Sequence, residues 1–129
     1  MNKNEIYIKS GTQYKEMTKD LLTQCNLAAE ISDSDMQIGI KPNLVSPSEA
    51  SWGATTHPEI VAGIIEYLQE NGYRKIAILE GSWVGDKTTE AYEVCGYREL
   101  SEKYQVPFWD MQKDKGIERD CKGMKLNIC

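Results

Sequence analysis

Ile38-Gly-Ile-Lys-Pro-Asn-Leu-Val-Ser-Pro-Ser-Glu-Ala-Ser-Trp-Gly-Ala-Thr-Thr-His57-Pro58 reads as a buried strand that stops, a long polar loop, and the capped start of a helix. Pro42 brings no N–H to a sheet ladder, and its ring holds Lys41 in extended geometry. The strand therefore ends by delivering Lys41 and Asn43 to its carboxyl edge. A loop as long as 43–56 with no structure of its own is uncommon in a compact domain and is usually functional or disordered. The one histidine of the chain, His57, stands where this loop becomes helix.

On the C-terminal side of the loop, Thr56-His57-Pro58-Glu59 matches a capping box, with Pro58 suited to a first helical turn. Ile60, Val61, Ile64, Ile65 and Leu68 form one apolar stripe, and Asn71-Gly72 supplies a left-handed stop. The next segment, 74–80, is apolar without alternation through its middle, which suits a central strand covered on both faces. Strand, helix and strand together predict a right-handed crossover and a parallel sheet.

On the N-terminal side, Glu5–Lys9 alternates and reads as a first strand. Thr12 is placed to cap a helix carrying Tyr14, Met17, Leu21, Cys25 and Ala28 on one face, which Ser32-Asp-Ser-Asp35 ends. The strand containing Ile38 and Ile40 spans 36–41. Beyond Glu80, Gly81–Gly85 is a loop and Asp86 a cap for a helix through Ala91, Val94 and Cys95. Gly96 interrupts that helix, and Tyr97, Leu100 and Tyr104 continue it. Residues 106–110 read as a strand at a sheet edge or start because of Pro107. Met124, Leu126 and Ile128 alternate in a hairpin that turns at Lys122-Gly123. The expected architecture is a single α/β domain over 1–129, a three-layer sandwich on a mostly parallel sheet of open strand order, with a C-terminal hairpin.

Composition narrows the class. The 129 residues carry a net charge of −5, with 40% hydrophobic and 27% charged side chains, ordinary for one globular domain. Lys and Arg never run beyond a pair, which argues against a nucleic-acid or anionic-membrane surface. Apolar runs are too short for a membrane span, and the start lacks a secretory apolar core, so the cytoplasm is the expected compartment. Four cysteines at 25, 95, 121 and 129 are irregularly spaced with no Cys-x-x-Cys, and read as reduced structural thiols.

Ligands of open parallel sheets bind outside the carboxyl ends of the strands. That rule gathers Lys41, Asn43, Thr55, Thr56, Glu80, Ser82 and Asp110 at one edge, with Trp52, Trp83 and Trp109 in the same zone. Lys41 and His57 are the catalytic candidates; Asn43, Thr55, Thr56, Glu80, Ser82 and Trp52 are the ligand-binding ones. The free N–H groups of a helix start favour an anion, and Lys41 adds positive charge, so a carboxylate or phosphate is the expected ligand. Plainer roles are available to each: a helix-starting His57, a solvated Lys41, an Asp110 serving its loop. Glu80 is the more telling acid, because a carboxylate on an apolar strand must find a partner. Gly81-x-x-x-Gly85 lacks the ending of a P-loop. No metal-ligand spacing is present, and no cofactor can be read from the chain.

Lys41-Pro-Asn-Leu-Val, Ala54-Thr-Thr-His-Pro-Glu59 and Ile78-Leu-Glu-Gly81 resemble the start of the family catalogued as domain of unknown function 362. The resemblance extends through Gly96 and the strand around Phe108. It implies an α/β fold with Lys41, Asn43, Thr56 and His57 as signature positions, and supplies no reaction. Members are usually longer, and some carry a ferredoxin-like module with an iron–sulfur cluster. A later Lys-x-His motif and a Lys-Asn pair are absent, so the resemblance implies an N-terminal portion of that architecture. An uncovered sheet edge in such a portion predicts self-association, through the edge or through swapped terminal strands. Three functions stay open. The first is a small-molecule or anion site with Lys41 as electrostatic clamp, Asn43 as orienter and His57 as acid–base group. The second is part of an iron–sulfur redox protein whose cluster lies outside this chain. The third is a non-catalytic interaction or scaffold domain.

Overall fold

The computed structural model describes residues 4–31 and 33–128. Its centre is a parallel sheet of β1 (Ile38–Ile40), β2 (Ile76–Glu80) and β3 (Phe108–Asp110), in that order. Ile38 pairs with Ile76 and Ile40 with Ile78, and on the other side Ile78 pairs with Phe108 and Glu80 with Asp110. Helix α3 (Pro58–Glu70) joins β1 to β2. Helices α4 (Thr88–Val94) and α5 (Tyr97–Tyr104) join β2 to β3. The class, the parallel pairing and the break at Gly96 (φ 76°) are as the sequence predicts. A separate antiparallel ribbon, β4 (Ile117–Cys121) and β5 (Met124–Ile128), turns at Lys122 and Gly123, both at positive φ. That conformation belongs to a type I′ hairpin, whose twist matches its strands.

Strand order sets where the helices lie. Two right-handed crossovers in the order β1-β2-β3 advance in one direction, so both sets of helices fall on the same face of the sheet. Ile40, Ile76 and Ile78 bury there with Val61, Ile65 and Leu68 of α3, Ala91 of α4, and Tyr97 and Leu100 of α5. On the opposite face Leu79 leans over Gly39, where an added Cβ would stand 2.9 Å from Leu79 Cδ1, and Trp109 is 59% exposed. Among the described residues no helix covers that face. β2 is buried along its length apart from the half-buried Leu79, as its continuous apolar run predicts.

Helix α1 (Tyr14–Gln24) lies alongside α3 and runs in the same direction, from Tyr14 beside His57 to Lys19 beside Glu70. Gly63 allows the contact, because a Cβ there would meet the Lys15 carbonyl oxygen at 2.6 Å. Glu66 is the polar hub of this side. It accepts from the Tyr104 hydroxyl at 2.6 Å and from Lys15 and Lys19 at 3.1 and 3.3 Å. These donors, the Tyr104 hydroxyl first, hold its carboxyl down at about 2, while burial and the Glu66 bond push Tyr104 up to about 12.

Four local expectations are corrected. Glu5–Lys9 is not assigned as a strand, and Ile6 and Ile8 are exposed: alternation gives a segment two faces but supplies neither a strand neighbour nor a core. The first helix begins at Tyr14 after Gln13 rather than under a Thr12 cap. It does not run on to Ala28 as one piece, because Asn26 adopts φ 51° and starts the short α2 (Leu27–Glu30). The expected breaker Ser32 lies outside the described residues, as does Cys129. Finally, neither Thr56 nor Asp86 caps a helix. α3 follows His57, and α4 follows Lys87, in both cases without a side-chain cap.

Candidate functional site at the carboxyl edge of the sheet

Where β1 ends, Pro42 turns the chain out of the ladder and Leu44 drops into the core with no exposed surface. The loop that follows is closed at its base by an isolated antiparallel bridge between Leu44 and Thr55. Asn43 and Thr56 complete the closure. The Thr56 N–H donates to the Asn43 carbonyl at 2.8 Å, the Asn43 N–H donates to Thr56 Oγ1 at 2.9 Å, and Asn43 Nδ2 donates to the Ala54 carbonyl at 2.9 Å. Thr56 is therefore occupied by the loop base, which is why the expected capping box does not form.

Glu80, at the end of β2, is 3% exposed and fully engaged. Its Oε2 accepts from Lys41 Nζ at 3.0 Å and from the Leu44 N–H at 3.2 Å, and its Oε1 accepts from the Gly81 N–H at 2.8 Å. The burial and the need for a partner are as the sequence suggests. The carboxylate ties the loop base to the neighbouring strand. Lys41 keeps 57% of its side chain in solvent while its ammonium rests on this acid.

Further bonds extend the same knot. Ser82 Oγ donates to the Leu44 carbonyl at 2.6 Å, and the Ser82 N–H donates to Thr88 Oγ1 at 3.0 Å. The hydroxyl of buried Thr55 donates to the Ser48 carbonyl at 3.2 Å, an oxygen that also accepts from Cys95 Sγ at 3.2 Å. The Tyr97 hydroxyl donates to the Thr56 carbonyl at 3.0 Å, and its burial pushes it well above the ordinary tyrosine range. The Trp83 N–H donates to the Val45 carbonyl at 3.1 Å. Thus Lys41 with Glu80 and Asn43 with Thr56 bond as pairs at one edge, and Thr55 and Ser82 are tied to the same edge through Ser48, Leu44 and Thr88.

His57 and Trp52 stand apart from that network. The His57 ring is partly exposed, packs on Tyr14 with centroids 4.4 Å apart, and has Nδ1 3.9 Å from the Glu59 carboxylate. Trp52 closes the 3-10 turn Ala50–Trp52 at the loop tip and is 77% exposed; Trp83 and Val84 on the next loop are exposed as well. Asp110 pairs with Lys113 and caps the 3-10 turn Met111–Lys113. A groove of about 530 Å³ opens where α1, α3 and α5 meet, and a notch of about 370 Å³ lies beside Trp109. Neither is lined by Lys41, Asn43, His57 or Glu80, so the candidate site is an open edge.

Two contributors escape a reading by motif. Gln112 joins three loops: its Oε1 accepts from the Thr88 N–H at 3.2 Å, and its Nε2 donates to the Ser82 and Asp86 carbonyls at 3.0 Å each. Thr88 is wholly buried and supplies the acceptor for Ser82. A glutamine in a polar stretch carries no periodic signal. Thr88 was legible only as a helix-start residue.

Among the described residues, no group of three or more His, Cys, Asp or Glu side chains is placed to hold a metal ion. Cys25, Cys95 and Cys121 lie on α1's C-terminus, at the end of α4 and on β4, so the described thiols do not fit an iron–sulfur cluster. No helix among the described residues is long and apolar enough to cross a membrane. The model of a domain of unknown function, DUF362, matches residues 38–128, which takes in the sheet, the knot and the hairpin. Searches of curated proteins and of solved structures return no match.

Proposed function

The chain belongs to the DUF362 family, whose function is unknown, and from that premise we propose that the domain binds a small anionic molecule at the start of α3. One observation carries the reading. The 13-residue helix begins with no side-chain cap, because Thr56, its natural cap, is taken by the Asn43 N–H. Pro58 has no N–H and the Ile60 N–H turns back to the His57 carbonyl at 3.0 Å, so the Glu59 N–H and the positive end of the dipole are what face an outside acceptor. His57 stands at that end and is partly exposed. Lys41 lies two residues before Asn43, whose backbone is bonded to Thr56, and its side chain is half in solvent while its ammonium rests on Glu80.

The roles divide accordingly. The α3 start and His57 contact the anion, Lys41 supplies positive potential, and Asn43, Thr55, Thr56, Glu80 and Ser82 keep the edge rigid. Trp52 and Trp83 on the adjoining loops offer apolar cover for the organic part of a ligand. Pairing with Glu80 offsets the charge of Lys41, which suits holding and orienting a ligand. His57 is the group available for proton transfer if the bound molecule reacts.

Calorimetric titration with inorganic phosphate and with succinate tests the reading. Saturable binding to the parent protein is expected, weakened several-fold in His57→Ala and in Lys41→Ala and screened by added salt. Absence of heat with both anions, or equal affinities in all three proteins, would overturn it.

A further inference from the structure

The C-terminal ribbon has an exposed apolar face. Its register sets Ile117 opposite Ile128, Arg119 opposite Leu126, and Cys121 opposite Met124, all on one side, while Glu118, Asn127, Asp120 and Lys125 share the other. All ten strand residues are exposed. A lone two-stranded hairpin is marginal in water and needs a surface to pack on. The sheet presents such a surface on the face away from its helices, where Leu79, Trp109 and Met111 line the notch together with Asp110, Lys113 and Asp114.

We infer that this hairpin docks on the open sheet face of a second copy, reciprocally, in a two-fold dimer. Charge selects the occupant. Segment 115–128 carries four basic and two acidic side chains, a net of +2, whereas the chain as a whole is at −5, which leaves −7 on the remainder. The ribbon is thus attracted to the body of another copy, although two whole copies repel. The match is also local: the apolar face of the ribbon has one cation at its centre, Arg119, and the apolar notch has carboxylates on its rim. Asp110 already holds Lys113, and Asp114 is exposed, which makes Asp114 the partner for Arg119 and the notch the seat for Leu126. Two-fold symmetry uses each hairpin and each face once per copy, so the buried area is doubled and the contact closes without growing into a fibre.

Sedimentation velocity on the parent, on Leu126→Lys, on Trp109→Lys and on an equimolar mixture of the two variants tests the inference. Both substitutions fall on exposed side chains, and circular dichroism melts matching the parent verify the fold. The expected result is a dimer for the parent and monomers for each variant alone. The mixture regains partial dimer, since an intact hairpin of one variant meets an intact face of the other. A parent that stays monomeric at high concentration, variants that still dimerise, or a mixture with no gain would each overturn it.

Discussion

Glu80 Oε2 lies 3.0 Å from Lys41 Nζ and 3.2 Å from the Leu44 N–H, so one buried oxygen holds both the side chain and the backbone that leave β1. The two partners are unequal, because the acid is buried and the lysine half in water. Glu80→Ala leaves buried donors without an acceptor and is expected to cost about 2–4 kcal/mol. Lys41→Ala removes a solvated ammonium while two backbone N–H groups still serve Glu80, and is expected to cost under about 1 kcal/mol. Urea denaturation of both variants checks the order; a larger loss in Lys41→Ala would show that the lysine, and not the acid, fastens the loop.

Thr56 and His57 are expected to separate stability from binding. Thr56→Ala removes the acceptor of the Asn43 N–H and loosens the loop base, at about 1 kcal/mol. His57→Ala deletes a ring that makes no cap and packs on Tyr14, and its expected cost is within about 1 kcal/mol. Thermal melts of the pair, read beside phosphate titrations, should show Thr56→Ala as the less stable protein and His57→Ala as the weaker binder. Reversal of both orders would make His57 a structural residue.

Acid should act through Glu66. Its folded carboxyl is depressed to about 2 from an ordinary 4.5, so its contribution is complete above pH 4.5 and disappears as pH falls toward 2. Glu66→Gln removes that dependence. Chemical denaturation at pH 6, 4 and 2.5 should find the gap between parent and variant narrowing with acid, and a constant gap would contradict the assignment.

Gly63 is expected to resist enlargement. In Gly63→Ala the new Cβ meets the Lys15 carbonyl and Thr18 Cβ at 2.6 and 2.9 Å, so α1 must move from α3. The expected loss is about 1–3 kcal/mol, despite the better helix propensity of alanine. A stabilised variant would mean that the helix pair is looser than its contact distances imply.

The parts of the fold legible in the sequence were those governed by local chemistry. The stripe of α3 showed in its periodicity, the stop at Gly72 in its glycine, and the turn at Lys122-Gly123 in the apolar alternation of Met124, Leu126 and Ile128. Glu80 could be placed as a buried acid because a charge on an apolar strand must be paired. What failed depended on distant partners. Thr56 looked like a cap until Asn43, 13 positions away, claimed its hydroxyl. Glu5–Lys9 looked like a strand, but pairing is a property of two segments. Of the edge residues, the sequence assembled Lys41, Asn43, Thr55, Thr56, Glu80 and Ser82, but the tie through Gln112 had no local signature.

The central claim is that an anion seats at the start of α3, and amide chemical shifts measure it most directly. Titrating inorganic phosphate into ¹⁵N-labelled protein should move the Glu59 amide furthest and saturably, together with His57 and the indole of Trp52, and these shifts should fade in Lys41→Ala. If Glu59 stays still, or if the shifts scatter among surface lysines such as Lys103 and Lys125, no anion binds where the helix begins.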